Sequence, residues 1–353
     1  MGKIRVGILG ATGTVGQRFV AMLEEHPQFV VTALAASDRS QGRPYGDACT
    51  WRLPGDIPTP VQSLVVQPPR PPLDCDVVFS SLPADVAGET ETAFARAGFA
   101  VVSNSSAHRL DESVPLLIPE VNAEHLALLD GRGKARAGAG FIVTNPNCST
   151  VMLALALAPL AARFGVEAVA ATTLQAVSGA GYPGVASLDI TDNVIPYIAN
   201  EEEKIERETL KILGRLNGDR IAPASFAVSA QCHRVNVVDG HMAAVRVKLA
   251  RPAGLAELRE AFAGFTGEPQ RLGLHTAPVR PILVRDEPDR PQPRLDRDAG
   301  RGMSVTIGRI ASDRVLGHRF VVLSHNTIRG AAGAAILNAE LLVARGYLAG
   351  AAR

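Results

Sequence analysis

The sequence predicts an α/β protein of two domains, and three observations carry the prediction. Short β-rich runs alternate with Ala-rich helical stretches through the first 150 residues, the pattern of a parallel sheet covered by helices. A glycine turn joins the first strand to the first helix. The length of 353 residues exceeds one domain of ordinary size. In order, residues 4–9 form an apolar strand, 10–16 the glycine turn, 17–25 a helix and 29–35 a second strand. Residues 76–80 and 100–103 add strands, with a helix at 84–97 between them. A helix at 151–163 leads to a strand at 168–177, a Gly-rich loop at 178–184, a charged helix at 201–213 and strands at 226–230 and 242–249. Residues 285–301, RDEPDRPQPRLDRDAGR, mix prolines with both charge signs, which predicts a solvated and mobile loop. A helix over 329–349 closes the chain. The expected division is a first domain over 1–150, completed by 329–353, and a second over 151–328.

Charge and composition narrow the function classes. Lys and Arg number 36 against 35 Asp and Glu, a net charge of +1, which argues against a general nucleic-acid or anionic-membrane binder. Hydrophobic residues make up 46% and charged residues 20%, so a large buried core is available. The apolar run 151–162 contains Pro159 and falls short of the ~20 residues that span a bilayer. A strand pattern at the N-terminus, in place of a basic cap and apolar stretch, leads us to expect a cytoplasmic protein. Cys49, Cys75, Cys148 and Cys232 form no C-x-x-C spacing, so no zinc or redox motif and no metal is expected.

Gly10, Gly13 and Gly16 stand in ILGATGTVGQRF, directly after a strand and directly before a helix. There, glycines permit a tight turn and let backbone N–H groups approach a pyrophosphate at the positive end of the helix dipole. The pattern predicts a Rossmann-like dinucleotide-binding domain. After the second strand come Ser37, Asp38, Arg39 and Ser40. Asp38 suits the free ribose hydroxyl of NAD, whereas Arg39 between two hydroxyls suits the extra phosphate of NADP. Charge-assisted bonds to phosphate are the stronger kind, so NADP is the expected cofactor.

Cys148, in TNPNCSTVMLALAL, lies where a polar loop becomes an apolar helix. A helix N-terminus favours the thiolate, so a lowered pKa is expected, and Asn147 with the Ser149 N–H would face an oxyanion. Taken alone, such a cysteine suits catalysis and packing equally. Cys75 at a strand entry reads as a buried thiol. Arg234 and His241 lie in CHRVNVVDGH, and they share a direction only if Asp239–Gly240 makes a turn. A lone loop histidine is by default a solvated group. A glycine turn with a downstream cysteine at a helix start describes thiolate addition to a carbonyl followed by hydride exchange with a nicotinamide.

With these residues in place, the chain resembles the aspartate-semialdehyde dehydrogenases of the archaeal and fungal type. The matching stretches are GATGTVGQRF, ASDRSQGRPYGD, NPNCST, SGAGYPGVASLDITDNVIPYI, EEEKIERETLKILG, RVNVVDGH and HNTIRGAAGAAILNAELL, from residue 7 to about residue 342. The resemblance implies reductive dephosphorylation of L-aspartyl 4-phosphate by NADPH, in the shared route to lysine or diaminopimelate, threonine, methionine and isoleucine. It implies an α+β substrate and dimerisation domain with a mixed sheet, and a homodimer or homotetramer. Cys148 matches the nucleophile, His241 the acid/base group and Gln175 the glutamine that positions the intermediate. Arg234 matches the arginine for the α-carboxylate; Arg109, Lys204 and Asn147 match the phosphate site. Glu202 is chosen from Glu201, Glu202 and Glu203 for the ammonium, although such a charge run is often a solvated helix face. Gly10, Thr12, Gly13, Thr14 and Val15 match the pyrophosphate loop, and Ser81, Gly179 and Asn326 complete the dinucleotide site beside Ser37, Arg39 and Ser40. The rivals on the same scaffold are an N-acetyl-glutamyl-phosphate reductase and a malonyl-CoA or succinyl-CoA reductase. A rival of another class is a non-catalytic nucleotide sensor. The 285–301 stretch matches no motif of the family.

Overall fold

Strand β1 (Ile4–Leu9) pairs in parallel with β2 (Phe29–Ala35) on one side and β3 (Val77–Ser80) on the other, in a computed structural model that describes residues 2–130 and 139–349. Strands β4 (Ala100–Ser103) and β5 (Phe141–Thr144) extend the sheet, giving the order β2-β1-β3-β4-β5 with every pair parallel. Runs such as Val77–Ser80 are buried throughout and apolar up to Ser80, as strands must be when helices cover both faces of a sheet. Helices Thr14–Leu23 and Ala84–Arg96 supply part of that cover. The C-terminal helix Gly333–Ala344 returns to this half, where Ala335, Ile336, Ala339 and Leu342 join Val6, Ile8 and Phe19 in one apolar cluster.

The second sheet has six strands in the order β11-β12-β13-β10-β6-β9. They are β6 (Val166–Gln175), β9 (Ala227–Arg234), β10 (His241–Leu249), β11 (Ile282–Val284), β12 (Val305–Asp313) and β13 (Gly317–Ser324); β7 (Arg215–Asn217) and β8 (Arg220–Ala222) form a separate hairpin. Parallel pairs β6·β9 and β11·β12 flank antiparallel ones, so the sheet is mixed. Helix Thr150–Phe164 is buried along most of its length and shares a core with Val169, Val245, Val322 and Ile205. Among the described residues no helix is long and apolar enough to cross a membrane.

Two elements differ from expectation. The helix expected over 329–349 opens instead as a π-helical turn, Ile328–Ala332, before Gly333–Ala344; residues 350–353 lie outside the described residues. Close packing accompanies the widened turn. A Cβ on Gly330 would stand 2.7 Å from Cys148 Cβ, and one on Gly333 2.4 Å from Met303 Sδ. The 285–301 stretch is ordered, not a solvated mobile loop. Asp296 is buried and accepts from Arg290 Nε at 2.7 Å, Arg285 Nε at 3.2 Å and the Gln292 N–H at 2.8 Å. Its mixed charges pair with one another, and Arg297 Nη1 then donates to Asp239 O at 3.1 Å, bracing the turn before His241.

Candidate active site

The glycine turn has the shape a dinucleotide pyrophosphate needs. Gly10 has φ +78°, and a Cβ there would meet Ser81 O at 2.9 Å, so Ser81 lies directly beneath the turn. A Cβ on Gly16 would stand 2.2 Å from Gly10 O, which makes Gly16 the residue that lets the helix approach the strand. Gly13 is exposed at the N-cap, with Thr12, Thr14 and Val15 partly exposed beside it. The first N–H groups of the helix have no partner within it and point outward there. Beyond β2, Asp38 accepts from Gln41 Nε2 at 2.8 Å, while Ser37 and Arg39 are exposed and Ser40 is buried. The carboxylate that would have held an NAD ribose is engaged; the guanidinium that suits a phosphate is free to solvent. These residues fit NADP.

Three neighbouring strand ends assemble the other half of the site. In register, Gln175 on β6 lies opposite Arg234 on β9, and Met242 of β10 lies opposite Leu174, so His241 falls beside Gln175 from the other side. The 235–240 loop, with Gly240 at φ +104°, reverses the chain between them. Arg234 and His241 therefore do converge, and both bond the same residue: Arg234 Nη1 donates to Ala176 O at 2.8 Å, and the Ala176 N–H donates to His241 Nδ1 at 3.0 Å. That bond assigns the proton of the neutral ring to Nε2, which is buried with no partner among the described residues. Burial, with Arg234 and His325 adding to it, pushes the His241 pKa down to about 3. Gly179 closes over the pair, since a Cβ on it would stand 2.9 Å from Arg234 Nη1 and 3.0 Å from His241 Nε2. Asn326 is buried here. It accepts from the Gly240 N–H and donates to Ser178 Oγ, each at 2.8 Å, so its amide ties two loops together.

Cys148 precedes helix Thr150–Phe164, as expected, but its pKa moves in the opposite direction from the expected one. Cys148 is half-buried, and the removal of its thiol from most of the water, then the charge of Glu201, push it up to about 12, against a downward pull from Arg109 and Arg234. The Ser149 N–H is also not free for an oxyanion, because it donates to Asn147 Oδ1 at 2.8 Å. Helix Glu201–Ile212 explains much of this. Its buried Glu201 Oε1 accepts from Asn147 Nδ2 at 2.8 Å and from Gln175 Nε2 at 2.9 Å, and Lys204 Nζ lies 4.0 Å from Oε2. Glu202, the expected residue, points elsewhere and accepts the Cys232 N–H at 3.0 Å. A step of one residue turns a helix by about 100°, so only one glutamate of the run can face Cys148, and it is Glu201.

Arg109 is buried. Nη1 donates to Glu208 Oε1 at 3.0 Å and Nη2 to Asn104 O at 2.6 Å. Glu208 and Lys211 were not foreseen. Their i+7 and i+10 spacing from Glu201 places them on the same helix face, and that spacing was the available signal. Lys211 Nζ donates to the carbonyls of Arg109, Asp111 and Val114 at 2.8, 2.7 and 2.9 Å, and burial lowers its pKa to about 8.

Comparison with known proteins agrees with this architecture. Residues 5–129 match the family model "Semialdehyde dehydrogenase, NAD binding domain", and residues 157–329 match "Semialdehyde dehydrogenase, dimerisation domain". An aspartate-semialdehyde dehydrogenase of Archaeoglobus fulgidus is 54% identical over 342 residues, covering 97% of this chain and 98% of its own. A crystal structure of aspartate semialdehyde dehydrogenase with NADP from Candida albicans superposes with a TM-score of 0.92 at 45% identity, covering 98% of this chain and all of that one. That of aspartate semialdehyde dehydrogenase II complexed with ASA from Vibrio cholerae gives 0.77 at 28% identity, covering 98% and 99%. The chain belongs to the aspartate-semialdehyde dehydrogenase family.

Proposed function

We propose that the chain catalyses NADP-dependent reductive dephosphorylation of L-aspartyl 4-phosphate to L-aspartate 4-semialdehyde and phosphate, through a thioester on Cys148. The observation that carries this reading is the gathering of charge beside Cys148: Glu201 and Glu208 both bond Asn147, the residue before it, Lys204 lies 4.0 Å from Glu201, Arg109 pairs with Glu208, and Arg234 meets His241 through Ala176. A substrate bearing a carboxylate, an ammonium and a phosphate finds an opposite charge for each. Arg234 takes the α-carboxylate, for which the planar guanidinium fork is suited. Glu201, in place of Glu202, takes the ammonium. Arg109 and Lys204 take the phosphate, with Asn147 beside them.

Cys148 Sγ attacks the acyl carbon as its thiol proton passes to the departing phosphate, the bond from that carbon to the phosphate oxygen breaks, and phosphate leaves carrying the electron pair and the proton. Gly10, Thr12, Gly13, Thr14 and Val15 would hold the dinucleotide pyrophosphate, Ser37, Arg39 and Ser40 its extra phosphate, and the bound group supplies the hydride that reduces the thioester. Gln175 stays oriented by Glu201 and by Thr173 Oγ1, which donates to its Oε1 at 3.0 Å. His241 acts from Nε2–H, donating a hydrogen bond to the oxygen as negative charge develops there; its Nδ1 is closed to a second proton by the Ala176 N–H. When the tetrahedral oxyanion collapses, the C–S bond breaks with its electron pair on sulfur, Cys148 regains a proton from water, and the aldehyde leaves. The product feeds lysine or diaminopimelate, threonine, methionine and isoleucine synthesis. The assembly that fits is a homodimer or homotetramer, supported by the exposed apolar side chains of Leu188, Val194 and Tyr197 on one short segment, and the setting that fits such a biosynthetic reaction is the cytoplasm.

The test is phosphate-dependent oxidation of L-aspartate 4-semialdehyde by NADP, followed as NADPH formation. Activity is expected with NADP, and a weaker one with NAD. Turnover of a CoA thioester with none of the semialdehyde would overturn the reading, because no CoA thioester of these acids presents the ammonium that Glu201 would receive.

A further inference from the structure

Glu208 is buried at 1% exposure and uses two different oxygens for two different parts of the site. Oε1 accepts from Arg109 Nη1 at 3.0 Å; Oε2 accepts from the Asn147 backbone N–H, next to Cys148, at 2.6 Å. From the same helix, Lys211 holds the carbonyls of Arg109, Asp111 and Val114, so the loop bearing Arg109 is pinned at its side chain and along its backbone. Arg109 Nε is buried and left without a partner among the described residues. An arginine buried this far needs a counter-ion before substrate arrives, and Glu208 supplies it while leaving a donor for an incoming anion.

We propose that Glu208 is a positioning residue that couples phosphate binding at Arg109 to the placement of Cys148. The carboxylate is a rigid bridge between the anion-binding guanidinium and the peptide carrying the nucleophile. A shift of Arg109 toward phosphate is therefore transmitted to the Asn147 N–H, and the thiol is held where the acyl phosphate must lie. The inference rests on the phosphate and nucleophile roles given above.

The experiment is Glu208→Gln in the full-length protein, assayed by phosphate-dependent oxidation of the semialdehyde. The amide of glutamine donates where a carboxylate oxygen accepted, so one of the two bonds is lost. The KM for phosphate is expected to rise about tenfold, the size of one charge-assisted hydrogen bond, and kcat at saturating phosphate to fall as well. The KM for the semialdehyde and the Kd for NADP stay within about twofold. A partly misfolded preparation lowers kcat and leaves every KM alone, so that pattern overturns the proposal. A raised phosphate KM with unchanged kcat also overturns it, since Glu208 would then serve Arg109 only. If Glu208→Gln does not fold, Glu208→Asp is read the same way: it keeps the charge but is too short to span both donors, and a wild-type phosphate KM and kcat in it overturns the proposal. Wild-type protein without phosphate-dependent activity overturns the proposed function and this inference together. Active wild type with a flat variant overturns this inference alone.

Discussion

Two opposed effects meet at Cys148. The start of helix Thr150–Phe164 favours a thiolate, and Arg109 and Arg234 favour it too, but removal from water and the carboxylate of Glu201 outweigh them, and the pKa stands near 12 instead of 9.0. Raising the pKa of an acid favours its protonated form, so in the free protein Cys148 is a thiol across neutral pH. Alkylation of Cys148 by iodoacetamide should therefore climb steadily with pH, by up to about tenfold per unit, and continue past pH 9 without a plateau at neutrality. His241 should add no break near 6.5, because its depressed pKa leaves it neutral there. Mass-spectrometric rates measured across pH check both statements, and a plateau below pH 8 would show that the thiolate is already formed. Gly330, whose missing side chain lets the π-helical turn lie against Cys148, helps cover one side of this half-buried residue.

At the scale of the element, helix Glu201–Ile212 organises the site through one face. Glu201, Glu208 and Lys211 point inward, whereas Glu203 pairs with Arg207 at 2.9 Å on the exposed side. On the proposed reading, Glu201→Gln should cost at least about a hundredfold in kcat/KM for the semialdehyde, since it removes the charge proposed to meet the ammonium and loosens Gln175 and Asn147, which bond it. Glu202→Gln should cost less than about fivefold, because only the bond to the Cys232 N–H is weakened. Steady-state kinetics of the two variants decide between the residues, and the reverse ranking would restore Glu202 to the site. The run EEEKIERETLKI announced the helix but not its phase: that depends on where Asn200, at φ +59°, turns the chain into it, which no periodicity shows. Apolar runs such as residues 4–9 and 100–103 were legible as strands because burial on both faces leaves no other pattern. β12 was not, because Gly308 and a register shift before Ala311 break its alternation. Residues 285–301 were misread for the opposite reason: composition counts charges, and only the fold shows that Arg285 and Arg290 close on one aspartate.

Across the whole molecule, the two sheets are joined where the chain returns from the second to the first. Arg329, in the π-helical turn after β13, is wholly buried and forms a two-pronged pair with Glu120, Nη1 to Oε1 at 2.8 Å and Nη2 to Oε2 at 2.7 Å. Glu120 lies in the first half of the chain, against Gly267, where a Cβ would stand 2.4 Å from Glu120 Cα. On the far side of the same return, Glu340 accepts from Thr276 Oγ1 at 3.1 Å and lies 2.9 Å from His26 Nε2. Polar contacts sealed this far from water are weak sources of net stability, yet breaking one partner leaves a buried charge uncompensated. Arg329→Met should therefore destabilise the protein by about 3–5 kcal/mol. Arg329→Met combined with Glu120→Leu should recover most of that loss, since apolar side chains of similar volume replace an ion pair without stranding a charge. Denaturant midpoints of the wild type, both single variants and the double variant close the cycle. A double variant no more stable than the sum of the single losses would show that the pair is not what joins the halves, and that the packing around Gly267 and Gly330 holds them instead.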